Sequence, residues 1–217
     1  MMGLILKDVI NLKKNFKILG ALTVFYILLS FSMNSASFFG TMFTFVFAML
    51  TLSTYSFDEQ AKWDGYALTL PITKEQIVRS KYLIMFLLTV CSMIFSFGVL
   101  LLLNKVMKTE ELFEGILSST LGAAIVIIFY CITIPLITKL GVEKSRYILT
   151  AIYLIPFVAG SFIIKVLRER MGEVPQSFIQ IGSFLLEYAY LLIPAVILLA
   201  VYLSYSVSIR IYSRKEF

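Results

Sequence analysis

Six stretches of this chain are each long enough and apolar enough to cross a lipid bilayer, with only short connections between them. The runs are Ile18–Met33, Phe38–Phe57, Tyr82–Leu103, Ile116–Thr138, Tyr147–Ile164 and Ser183–Ile209. A spanning helix needs about 20 mostly apolar residues, and only helices or closed barrels satisfy every backbone polar group in hydrocarbon. The expected fold is therefore an all-α membrane protein of six transmembrane helices, forming a single membrane domain over residues 1–217. Hydrophobic residues make up 59% of the sequence and charged residues 15%, too little polar surface to cover a soluble core of this size. The apolar run ending near Asn34, followed by Ser35-Ala36-Ser37, superficially resembles a cleavable signal peptide. The segment before it is too long and too amphipathic for that, and another span follows at once.

Residues 2–17 read as an amphipathic helix on the membrane surface. Met2, Ile5, Val9, Leu12 and Phe16 gather on one face, with Lys7, Asn11 and Lys14 on the other. Basic residues then orient the spans, because cytoplasmic loops retain Lys and Arg. Fourteen fall on one side: Lys7, Lys13, Lys14 and Lys17; Lys62, Lys74, Arg79 and Lys81; Lys139, Lys144 and Arg146; Arg210, Arg214 and Lys215. Only Lys105, Lys108, Lys165, Arg168 and Arg170 fall on the other, accompanied by five glutamates. Both termini are therefore expected in the cytoplasm, and the net charge of +6 reads as topology rather than nucleic-acid binding.

The chain has no histidine, which removes the commonest metal ligand and the commonest general base. Cys91 and Cys131 lie within apolar runs and show no metal-ligand spacing. No metal site and no catalytic residue are expected. An intramembrane enzyme would need a nucleophile and base or a metal at membrane depth, and neither H-E-x-x-H nor G-x-S-x-G is present. A substrate-capture subunit of an importer, or a small secondary carrier, is a second alternative. It should display a compact mid-membrane site, yet no cluster of charges lies there, and the two halves show no inverted repeat.

The most informative connection is residues 58–81, DEQAKWDGYALTLPITKEQIVRSK. It reads as helix, break, helix. Asp58 and Glu59 are acidic, Trp63 and Tyr66 aromatic, and Leu70-Pro71 stops the first segment because proline disfavours α geometry in the residue before it. Thr73-Lys74-Glu75-Gln76 is a capping box that starts the helix leading into the third span. An ordered elbow of this kind could transmit force from a soluble motor. Headgroup anchoring by the two aromatic residues is the plainer alternative.

This elbow, after the second of six spans, resembles the ABC-2 family of exporter permeases. The residues carrying the resemblance are Asp58, Glu59, Trp63, Leu70, Pro71, Thr73, Lys74, Ile77, Val78, Lys81 and Tyr82. Within that family the chain is most similar to permease subunits of bacterial exporters for amphipathic peptides, such as the phenol-soluble modulin exporter. The resemblance implies a bacterial plasma-membrane protein, a partner ATPase in two copies that binds ATP and Mg, and a second permease, identical or paralogous. The partner would dock on the coupling loop at Asp58, Glu59, Lys62, Trp63, Asp64, Tyr66, Leu70, Pro71 and Lys74. The chain itself has no G-x-x-x-x-G-K-[ST] phosphate loop, so it is expected to bind no cofactor.

Within the spans, Thr41, Thr44, Ala48, Thr51 and Tyr55 fall on one face of the second, and Thr150, Tyr153, Phe157, Gly160 and Ser161 on one face of the fifth. Such faces suit a pathway for an amphipathic substrate. They suit interhelical hydrogen bonding equally well. Glu187 is the one acid well inside a predicted span and is a candidate functional carboxylate, although residues 176–188 could instead form a re-entrant or interfacial segment. Ser92-x-x-x-Ser96 and Ser118-x-x-x-Gly122 offer close helix contact, within the chain or between copies.

Overall fold

A computed structural model describes residues 2–67, 69–107, 112–152, 154 and 189–215. Every regular element among them is helical: α1 (Met2–Leu12), a 3-10 turn at Lys13–Asn15, α2 (Phe16–Met33), α3 (Ala36–Ala48), α4 (Leu50–Gln60), α5 (Trp63–Ala67), α6 (Lys74–Met107), α7 (Leu112–Leu140), α8 (142–152) and α9 (Ala189–Ser213). Five continuous helical stretches are long and apolar enough to cross a membrane: Met2–Met33, Ala36–Gln60, Lys74–Met107, Leu112–Leu140 and Leu192–Ser213. Most of the expected fifth span, Tyr147–Ile164, lies outside the described residues, as do the start of the sixth and Glu187.

The exposure pattern suits an apolar solvent. Leu198 is 71% exposed, Leu102 65% and Val24 58%, whereas Thr44, Ser92 and Ser96 are fully buried. Hydrocarbon reverses the preference that water imposes, so large apolar side chains face outward while these hydroxyls turn inward, Thr44 and Ser92 to carbonyls of their own helices and Ser96 to a neighbouring one.

The interior is built around α3, which packs against both α6 and α7. Small residues permit the approach. The Ser96 hydroxyl on α6 donates to the Gly40 carbonyl of α3 at 3.1 Å, Ser118 on α7 donates to Ser37, and Gly122 lies against Thr41. Both small-residue motifs therefore serve packing within the chain. Phe39, Phe43, Leu100 and Leu103 fill the space around these contacts. A second seam joins α6 to α9, where the Tyr82 hydroxyl meets those of Ser204 at 2.6 Å and Ser208 at 2.9 Å, while Ser204 donates to the Cys131 carbonyl of α7.

The expected second span, Phe38–Phe57, is two helices in line, interrupted by a turn at Met49. Pro135 and Pro194 lie inside α7 and α9, which continue through them. At the other end of α2, Asn34 adopts a left-handed conformation (φ 50°), and the Ser35 amide closes back on the Ser30 carbonyl. That is the geometry of a helix stop, and it turns the chain directly into α3.

The N-terminal segment differs from the amphipathic wheel in which face it buries. The buried row is Leu4, Asp8 and Leu12, with Ile5 and Val9 partly covered, whereas Met2 and Phe16 are exposed. The helix packs on α4 and α6 through a face centred on an aspartate. The reason is electrostatic: Asp8 meets the ammonium groups of Lys7 and Lys81.

A Cβ at Gly40 would overlap the Ser119 hydroxyl and lie 3.2 Å from Leu100. Gly40→Val is expected to destabilise the protein by about 1–3 kcal/mol through overpacking. Gly40→Ala should cost less, and adding Ser119→Ala should recover part of that loss. Thermal unfolding of the detergent-purified variants, analysed as a double-mutant cycle, measures both effects.

Candidate functional site

Four charged side chains from three helices meet at the end of the bundle where α4 leaves and α6 begins. Lys81 of α6 contacts Asp8 of α1 at 3.0 Å and Asp58 of α4 at 2.6 Å. Lys7 of α1 contacts the same two carboxylates, Asp58 at 2.5 Å and Asp8 at 3.2 Å. The four form a closed ring of alternating charge, and all four carboxylate oxygens face an ammonium group. Burial is deep: the Asp8 side chain is 1% exposed, Lys81 7% and Asp58 12%.

Charges removed from water this far survive only when paired and hydrogen-bonded. Lys81 has three N–H donors, and Asp8, Asp58 and the Thr54 hydroxyl at 3.4 Å supply three acceptors. The Thr54 hydroxyl itself donates to the Thr51 carbonyl at 2.8 Å. Two aromatic rings complete the enclosure, with Tyr55 5.0 Å from the Lys81 ammonium and Trp63 4.2 Å from that of Lys7. Cation–π attraction at such distances adds to the pairing.

The described residues of the elbow form helix, turn and helix. Helix α4 ends beyond Asp58 and Glu59, Lys62 takes a left-handed conformation (φ 49°), and α5 carries Trp63, Asp64 and Tyr66. A turn through Leu70 and Pro71 follows, with the Ile72 amide donating to the Leu70 carbonyl at 2.7 Å. The capping box then forms in both directions: the Gln76 amide donates to the Thr73 hydroxyl and the Thr73 amide to the Gln76 side chain, each at 3.2 Å.

Two further sets of bonds tie this elbow to the other chain segments at the same end. Glu59 accepts a hydrogen bond from the Val142 amide at 2.8 Å, a carboxylate placed on the first turn of α8. Gly141 permits this approach: it has φ +82°, and a Cβ there would sit 2.7 Å from the Glu59 carboxylate. Arg146 donates to the Ser56 hydroxyl nearby. On the opposite flank, Asp64 accepts from the Tyr212 hydroxyl at 3.1 Å and faces Lys215 at 3.5 Å. Lys74 donates to the Ser213 and Lys215 carbonyls, both at 3.1 Å, satisfying acceptors left open at the end of α9. The coupling-loop residues Asp58, Glu59, Trp63, Asp64 and Lys74 are thus engaged within the chain. Tyr66, 59% exposed, and Lys62 and Pro71, also exposed, face outward, while Leu70 is half-buried.

The candidate lining residues lie elsewhere. Thr44 and Thr51 are fully buried in the interior, with the Thr44 hydroxyl donating to Gly40, and Tyr55 lies beneath the ion ring. Thr150 is exposed on α8 and donates to the Arg146 carbonyl. Tyr153, Phe157 and Ser161 fall outside the described residues. Among the described residues, no group of three or more acids and cysteines is placed to hold a metal ion.

Sequence reasoning singled out Asp58 but missed Asp8, and it treated Lys7 and Lys81 mainly as topology markers. The available signal was an aspartate occupying the middle of the Leu4–Asp8–Leu12 row, one turn from a leucine on either side.

The family model described as "ABC-2 family transporter protein" matches residues 3–213. No curated protein and no solved structure matches the chain.

Removing one member of a buried ionic group strands the others, at a cost of about 3–5 kcal/mol. Lys81→Met is therefore expected to lower the unfolding temperature steeply, because Asp8 and Asp58 would be left to share Lys7. Asp8→Leu combined with Lys81→Met leaves one Lys7–Asp58 pair and should regain much of the loss. Melting curves of the two variants in detergent test this, and a double variant no more stable than Lys81→Met would contradict it.

Proposed function

We propose a specific role for this chain, which belongs to the ABC-2 family of transporter proteins and is thus a multi-pass membrane component of an ABC transporter rather than an enzyme in its own right. It is the permease of an exporter that moves an amphipathic substrate, a peptide by preference, out of a bacterial cell. Six spans and two cytoplasmic termini place the elbow of residues 58–81 on the cytoplasmic side, where a separate ATPase docks. The working unit pairs two permeases, identical or paralogous, with two ATPase subunits. The family implies the ABC ATPase in general terms; the copy number, direction and substrate are part of the proposal.

One observation carries this reading. The elbow is bonded to α1 through the ion ring, to α8 through Glu59, and to the end of α9 through Asp64 and Lys74. A push on α5 is therefore delivered to four other helices at once, including α6, which grows directly from the elbow. Work from nucleotide hydrolysis needs a stiff element of this kind, because a two-state rearrangement must be biased by contacts that differ between the states. The substrate class rests on the resemblance of the elbow to peptide exporters and on the threonine and tyrosine side chains of the second and fifth spans. The polar face in the second span is closed by packing within one chain, so a pathway there would require α3 and α4 to shift.

Trp63 and Asp64 serve bonds inside the chain as well as any partner, so their removal mixes two effects. Tyr66 is exposed and gives the cleaner test. Tyr66→Ala is expected to reduce co-purification of the ATPase by about tenfold or more, as loss of an aromatic interface anchor does, while lowering the melting temperature of the isolated permease only slightly through loss of its ring contact with Trp63 at 5.4 Å. An ATPase that co-purifies equally well with Tyr66→Ala and with Lys62→Ala/Tyr66→Ala would overturn docking at this elbow.

A further inference from the structure

The ends of α7 and α9 enclose a groove that lies apart from the ion ring and shares only Lys215 with the contacts of the elbow. It has a volume of about 540 Å³, and its walls include Lys139, Val207, Arg210, Ile211 and Arg214. Lys139, Arg210 and Arg214 are exposed, and among the described residues none of the three meets a carboxylate. Lys215, also on the wall, is already turned toward Asp64. The basic side chains are not evenly spread. Arg210 lies in the last turn of α9 and Arg214 four residues on, just past its end, while Val207 and Ile211, also four apart, supply an apolar row on the same wall.

Part of this charge offsets the helix dipoles, since α7 and α9 both end here. Two helix C-termini present roughly half a negative charge each, whereas the three side chains carry three full positive charges. Among the described residues, about two positive charges are therefore left uncompensated. Solvent alone does not explain the arrangement, because the apolar row would be left in water beside them.

We infer that this groove binds an anionic phospholipid. The phosphodiester lies between Arg210, Arg214 and Lys139, and the start of an acyl chain runs along Val207 and Ile211. Arginine pairs suit phosphate oxygens through their planar donor forks, and basic pockets between membrane helices are a known form of headgroup site. The site rests on the chain's membership of a membrane family and on the geometry of α7 and α9. It does not depend on the direction of transport, the substrate or docking at the elbow.

Native mass spectrometry of the full-length permease, with phosphatidylglycerol and phosphatidylcholine added to the detergent at equal concentration, tests the site. Wild-type protein should retain phosphatidylglycerol preferentially. Each cation near an anionic lipid surface contributes about a fivefold gain, so Lys139→Gln/Arg210→Gln/Arg214→Gln should lose that preference by about a hundredfold at low salt. Lys13→Gln/Lys17→Gln/Lys144→Gln, which removes the same number of exposed charges elsewhere, should keep it. The single variants Arg210→Gln and Arg214→Gln, each expected to lose about fivefold, cover the case of a triple variant that does not fold. Equal retention of the two lipids by wild type, or equal loss in the control variant, would overturn the site. So would displacement of the lipid by millimolar inorganic phosphate, which marks a site for a free anion. A triple variant that keeps its lipid but no longer co-purifies with the ATPase would reassign the groove to protein docking.

Discussion

Lys81 holds this end of the molecule together. Its ammonium group joins an aspartate on the first helix, an aspartate at the end of the second crossing and a threonine one turn before it, and its own backbone starts the third crossing. Burying a lysine costs several kcal/mol unless partners replace the water it loses. The cost makes the arrangement specific: α1 can sit in one register only, because sliding it by one residue would remove Asp8 and place either Val9 or the like-charged Lys7 against a buried cation. Lys7 then closes the ring and brings Trp63 with it. An N-terminal segment that hydropathy would leave lying on the lipid surface is thereby tied to the elbow.

Deeper in the bundle a different rule governs packing. Hydroxyls of Thr44, Thr89, Ser92 and Thr133 return to carbonyls of their own helices, so these residues carry polarity without exposing it. Gly40 and Gly122 bring the backbones close, and Ser96 bridges from one helix to the next. Contacts of this size hold helices by shape rather than by charge. The two halves of the second crossing thus meet different environments. Helix α3 is embedded among its neighbours, while α4 ends in the ion ring, and the turn at Met49 lies between them.

Much of this was legible in the sequence because it is local. Apolar length marked the helices, Thr73 and Gln76 marked the start of α6, and Pro71 marked the turn before it. What escaped was pairing across long separations. Lys81 and Asp8 lie 73 residues apart, and Tyr212 and Asp64 148. A single sequence gives charges but not their partners, so Lys81 looked like one more orienting cation. The amphipathic wheel of residues 2–17 failed for a related reason: it ranked residues by polarity, and a buried ion pair reverses that ranking at the one position that matters. Glu59 reads in the sequence simply as an acid of the elbow, but the helix whose first turn it meets is α8, more than eighty residues further along.

The ring contains two positive and two negative side chains, and so has no net formal charge. A body with that property can travel through the electric field of an energised membrane without exchanging work with it, where a single uncompensated lysine would gain or lose roughly 2.3 kcal/mol per 100 mV. Displacement of the ring as a unit is therefore blind to membrane voltage.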